Sequence, residues 1–126
     1  MAALLTIGIT AIRDSLKTLV SHVGVATDQT AFSAAQTALD PANGGAGNLL
    51  IKASSEANVD AATFDATMEI DGTSEFTGKD IWTIGILDGA TRTDALSRTV
   101  RTNSIGVQAG DTFVLGVRVK TEDNSA

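Results

Sequence analysis

Two stretches of this chain alternate apolar and other side chains with a period of two, and that pattern restricts the fold more than any other feature. Phe64, Ala66, Met68 and Ile70 alternate with Asp65, Thr67 and Glu69, and Phe113, Leu115, Val117 and Val119 alternate with Val114, Gly116, Arg118 and Lys120. Successive side chains of a strand point to opposite faces, so such a run buries one face and wets the other, as antiparallel sheets do. Leu49–Glu56 reads as one further strand, His22–Thr27 as a short one, and Ala95–Thr102 as another, with Leu96 and Val100 opposite Arg101. Asp71-Gly72-Thr73-Ser74 and Asp88-Gly89-Ala90-Thr91 supply turn chemistry between them. Ile81–Leu87 differs, because Trp82, Ile84 and Ile86 fall on one face while Ile81 and Leu87 fall on the other. A strand that is apolar on both faces needs cover on both, from the helix or from a neighbouring subunit.

The period changes near the start of the chain. Over residues 6–20, Ile9, Ile12, Leu16, Leu19 and Val20 lie within an arc of about 100°, while Arg13, Asp14, Lys17 and Thr18 face away, which predicts one amphipathic helix. Thr6 or Thr10 is the candidate cap at its start, and Lys17 and His22 fall near its end, where a cation suits the helix dipole. Its apolar face predicts packing on the sheet. Residues 28–48 form a long stretch rich in Ala, Thr, Gly and Asn, with the sole proline at Pro41. Connections of that length without regular structure are uncommon in compact domains and are usually functional or mobile. The expected fold is therefore mainly β: a single domain over residues 1–126, an antiparallel β-sandwich of about six strands over about 49–121, with one N-terminal amphipathic helix packed on it.

Charge and residue usage then narrow the function. Fifteen acids against nine bases give a formal charge of −6, which repels phosphate backbones, and no cluster of Lys or Arg offers a local exception. The aromatic residues Phe32, Phe64, Phe76, Trp82 and Phe113 are too scattered for a base-stacking platform, so direct nucleic-acid binding is not expected. There is no cysteine, which removes disulfides, thiolate metal sites and cysteine nucleophiles together. The apolar start Met1–Ile7 lacks a basic lead-in and is interrupted by Arg13 and Asp14, so neither a signal peptide nor a membrane span is expected.

No chemical motif stands out. His22 is the only histidine, and no Gly-x-Ser-x-Gly elbow accompanies the serines, so a helix-end or contact role fits it better than general base catalysis. Gly44-Gly45-Ala46-Gly47 lacks the Lys-Ser or Lys-Thr pair of a phosphate-binding loop and reads as a loop tip. Asp71, Glu75 and Asp80 do not have the spacing of a calcium loop and read as solvated turn acids. Asp65 and Glu69, four residues or roughly 13 Å apart on one outward strand face, are too distant for a glycosidase-type carboxylate pair. The expectation is a protein that is not an enzyme and holds no metal or other cofactor.

A different oddity is physical. An acidic chain with positive mean hydropathy (+0.14), a strand apolar on both faces and Val114 on an otherwise polar face has more apolar surface to cover than a small monomer needs. Self-association or docking on a larger particle would account for it, and so would complete cover by the helix. The residue order is also similar to small virion proteins of tailed bacteriophages and to modules near the start of some phage tail-collar fibres. The likeness runs through Ile12-Arg13-Asp14, Ser21-His22-Val23-Gly24-Val25-Ala26-Thr27, the loop Asp28 to Ala42, Thr83-Ile84-Gly85-Ile86-Leu87-Asp88-Gly89, Leu96-Ser97-Arg98 and Ala109-Gly110-Asp111-Thr112-Phe113.

The resemblance implies a virion component without catalytic residues, oligomeric and often trimeric, made in the host cytoplasm and placed on the capsid surface or in the tail or collar. Because the chain ends soon after the module, a capsid decoration (cement) protein is the first expectation, with the major capsid protein and its own copies, as a homotrimer, for partners. A tail-collar or tail-fibre module joining virion proteins is the alternative, and a carbohydrate-binding β-sandwich is another. The expected partner contacts are Leu4, Leu5 and Ile7 in the apolar N-terminal segment and Phe32, Leu39 and Pro41 in the long loop; such a loop can order on binding, and Phe32, Leu39 and its alanines can also pin part of it down.

Overall fold

Alternation decides which face of each strand is buried, and in the computed structural model, which describes residues 5–42 and 46–122, it does so in two stacked sheets. The elements in chain order are α1 (Thr6–Leu19), β1 (His22–Ala26), β2 (Leu49–Ala53), β3 (Ser55–Asn58), β4 (Thr63–Asp71), β5 (Asp80–Leu87), β6 (Thr99–Gly106) and β7 (Thr112–Lys120), with short 3-10 turns at Ala46–Asn48 and Arg92–Asp94. One sheet has the order β2-β1-β5-β6 and the other β3-β4-β7, and every pairing is antiparallel. The chain is thus a mainly β sandwich with one helix. Its core lies between the sheets, where Val23 and Val25 of β1, Ile81, Ile84 and Ile86 of β5, and Phe64, Ala66, Met68 and Ile70 of β4 meet. Phe113, Leu115, Val117 and Val119 of β7 pack on that cluster while staying partly exposed, because β7 pairs only with β4 and forms the edge of its sheet.

Four expectations change in the structure. The run Leu49–Glu56 is not one strand: it breaks at Ser54, so that β2 pairs with β1 in one sheet and β3 with β4 in the other. The Ser54 N–H donates to the Ser21 carbonyl at 3.0 Å and holds the corner where an edge strand changes sheets. The strand expected at Ala95–Thr102 begins later, at Thr99. Residues 95–98 instead run past β5, with Leu96 N–H bonded to the Ile86 carbonyl at 2.8 Å and the Arg98 side chain buried.

The third change concerns the outer face of β5. Its cover is the loop over residues 28–42 and not the helix. Gly24 of β1 stands opposite Gly85 of β5, and the two leave a hollow in the sheet into which Leu39 is pressed. A Cβ at Gly24 would come within 2.5 Å of Leu39 Cδ2, and one at Gly85 within 2.6 Å of Leu39 Cδ1. Glycine inside a strand often marks such a close approach.

The fourth change is the roll of α1. Its N-cap is Leu5, with no side-chain cap, so neither Thr6 nor Thr10 closes it. The face turned to the sandwich carries Thr10 and Arg13: Thr10 Oγ1 donates to the Ala61 carbonyl at 2.9 Å and Arg13 Nη1 to the Asp60 carbonyl at 2.5 Å. Val20, at the end of the helix, is buried in the core and fixes the roll. Ile12, Leu16 and Leu19, expected against the sheet, are exposed because the two carbonyls of the β3–β4 turn take the helix's polar side as donors.

Candidate functional site

The residues expected to meet partners divide into three groups. Leu5 and Ile7 are 77% and 83% exposed at the start of α1, and Phe32 is 63% exposed in the loop, so all three are free for contact. Leu4 lies outside the described residues, as do Gly44 and Gly45 of the glycine run. Leu39 is fully buried and Pro41 half-buried. Leu39 is therefore a fold residue rather than a contact, since its side chain fills the Gly24–Gly85 hollow.

The loop over residues 28–42 owes its shape to buried charge, not to a partner. Asp28 is inaccessible, and its carboxylate accepts the Thr30 N–H and the Ala42 N–H, each at 2.7 Å, closing the two ends of the loop on one side chain. Arg98 reaches in from the segment before β6. Its Nε donates to the Leu39 carbonyl at 3.0 Å, Nη1 to Gln36 Oε1 at 2.8 Å and Nη2 to Thr83 Oγ1 at 3.2 Å. Thr83 Oγ1 in turn donates to the Asp28 carbonyl at 2.6 Å. Arg92 clamps Asp40 through both its carboxylate and its carbonyl, each at 2.6 Å. Burial by itself would raise the Asp28 carboxyl, but the hydrogen bonds from Thr30 and Ala42 and the nearby Arg98 charge outweigh it and hold the group below the ordinary aspartate value. The described part of this loop is built into the fold, with Leu39 among the residues that pin it down.

That clamp presents a surface. Phe32, Gln36, Ala38, Leu96 and Arg98 line a shallow hollow of about 260 Å³, with Phe32 and the 45%-exposed Leu96 as its apolar walls. Its volume falls short of the roughly 300–1,000 Å³ typical of small-ligand clefts, whereas two more open hollows, of about 450 Å³ beside Arg13, Lys17 and Glu56 and of about 360 Å³ beside Lys52, Thr67 and Val114, reach that range. A second apolar surface is the outward side of α1, with Ile12, Leu16 and Leu19 exposed beside Leu5. Val114 is exposed on the outer face of β7, as its place in the alternation predicts. Trp82 is half-buried within β5.

The groups weighed for chemistry are occupied in other ways. Ser21 Oγ lies 2.7 Å from His22 Nδ1, a contact between chain neighbours, and neither residue lines the hollow described above. Among the described residues no carboxylate is hydrogen-bonded to the other ring nitrogen, which a relay would need. Asp65 grips Arg118 through two bonds at 2.8 and 3.1 Å across β4 and β7. Glu75 Oε1 accepts from Lys52 Nζ at 2.8 Å and from the Asp71 N–H at 3.0 Å, so it closes a turn. Among the described residues no three His, Asp or Glu side chains are grouped to hold a metal ion. No described helix is long and apolar enough to cross a membrane. Comparison with protein-family models, with curated proteins and with solved structures finds no match to this chain.

Proposed function

We propose that the chain is a structural protein of a tailed-bacteriophage virion, placed in many copies on the outside of the head as a decoration protein that stabilises the shell. The observation that carries this reading is an acidic sandwich whose exposed large apolar side chains lie on outward surfaces, on α1 and around Phe32 and Leu96, and not inside a deep cleft. Such surfaces are suited to binding other macromolecules by burial. The likeness of its residue runs to small phage virion proteins agrees with that use. Partners on this reading are other copies of the chain, as trimers, and the major capsid protein. Many modest contacts repeated over a shell give a strong total attachment, because each bound subunit raises the effective concentration of its neighbours.

The test is to locate the protein by electron microscopy of particles purified from the virus that encodes it, with labelled protein for identification. A lattice of copies spread over the head is the expected result. A single ring at the neck or tail would favour a tail-collar module instead, and absence from particles would remove the virion reading altogether.

A further inference from the structure

Ile7 apart, the exposed apolar side chains at the start of α1 and along it share one side, together with the half-buried Ile9. Leu5, Ile9, Ile12, Leu16 and Leu19 follow one another at alternating steps of four and three residues. At 3.6 residues per turn these five fall within an arc of about 80°, which is the seam of a coiled coil over two heptads. The seam does not point at the sandwich. The helix meets its own domain through Thr10 and Arg13, a quarter turn or so away, and leaves Leu5, Ile12, Leu16 and Leu19 accessible.

We infer that α1 is a self-association element and that its occupant is the same helix from two further copies of the chain, giving a parallel three-helix seam. Three observations select this occupant. The seam contains no charged side chain, and the small residues Gly8 and Ser15 flank it on the side away from Arg13, so identical helices can approach closely without repulsion. Within the helix, Arg13 and Lys17 outnumber Asp14, so bringing helices together gathers the least acidic part of a molecule of charge −6. Ile9 and Ile12 place β-branched residues at both kinds of seam position, a choice that shifts preference from two strands to three or four. Two heptads are short for an isolated coiled coil, but here each helix is already held on a folded domain by Arg13 and Val20.

This deepens the self-association part of the proposed function and rests on it, while attachment to particles is tested separately. The experiment is light scattering on the whole protein and on an Ile12→Lys, Leu16→Lys double variant. The expected result is a mass three times the chain's 12.9 kDa for the parent and a threefold fall for the variant, with an unchanged strand signal in circular dichroism. Ile7→Ser is the control: Ile7 is the more exposed residue but lies on the opposite side of the helix, and its loss should leave the mass unchanged.

Because the chain has no cysteine, single Ile12→Cys and Ile7→Cys variants give a second measurement that does not depend on the double variant folding. Oxidation should link chains through position 12 and not through position 7. A parent that stays a monomer at high concentration, or a parent dimer, overturns the inference. A trimer that survives the double substitution also overturns it, while leaving self-association through another surface. Trimers that do not decorate particles would sink the virion reading and spare this one.

Discussion

Leu39 and the glycine pair beneath it make a contact whose parts can be tested one at a time. Leu39→Ala should cost about 2–5 kcal/mol, as a lost, fully buried leucine does, and a denaturant melt measures it. A residue kept for a partner would show no such loss in the isolated protein. Gly24→Ala and Gly85→Ala should not be equal. The methyl at position 24 meets the mobile end of Leu39, whereas the one at position 85 also meets the Ser97 carbonyl, a backbone atom with nowhere to go. Position 85 should therefore be the more costly, and adding Leu39→Ala should relieve the strain at position 24 but not at 85. At the other end of the loop, Asp28→Asn sets an amide donor against the Ala42 or Thr30 N–H. The expected loss at neutral pH is about 1–3 kcal/mol in the same melt, from one backbone donor left without an acceptor.

Between elements, the attachment of α1 is the thinnest joint in the molecule. Arg13→Ala removes the bond to the Asp60 carbonyl and leaves the core between the sheets intact. Amide exchange should speed up across Thr6–Leu19 and stay slow in β1, β4 and β5. The same joint shows how far the sequence could be read. Periodicity located the helix and its apolar arc, but it cannot say what the arc faces, and the polar side won because Asp60 and Ala61 offered it two carbonyls. β4 and β7 were legible because each alternates through its whole length, whereas the register shift between Ile81 and Thr83 in β5, which brings Ile81 into the same core as Ile84 and Ile86 instead of the opposite face, left no mark in the sequence. The break at Ser54 was not legible either, since Leu49 to Glu56 keeps a strand-like pattern across it. The loop's order was hidden for a different reason: Arg92 and Arg98 act on residues more than fifty positions away, as the separation of 52 between Arg92 and Asp40 illustrates. One local signal was present and unused, namely glycines in the interiors of two strands. Of the expected contact residues, Leu5, Ile7 and Phe32 reach the surface, whereas Leu39 looks the same in sequence and is the best hidden.

At the scale of the whole molecule, acid is the condition to which the fold should be most sensitive. The hydrogen bond from Arg118 holds Asp65 below the ordinary aspartate value of 3.8, and that from Lys52 holds Glu75 below 4.5. Asp28 joins them from inside the loop. With folded values below unfolded ones, the unfolded chain takes up protons first as pH falls. Stability is then complete above the carboxylate range and declines as pH drops from about 4 through the folded values. Melts at a series of pH values should show this decline, and it should be shallower in Asp28→Asn. The exposed Asp65–Arg118 pair should contribute little of it. The connection between α1 and the sheet has a mechanical consequence as well. Only Val20 and Ser21 separate the helix from β1, and β1 is bonded along its whole length to β2 on one side and β5 on the other. Tension applied through the helix along the strand axis would load both rows of bonds together, in shear, so that the subunit resists a steady pull far better than it would if an outer strand could be unzipped rung by rung.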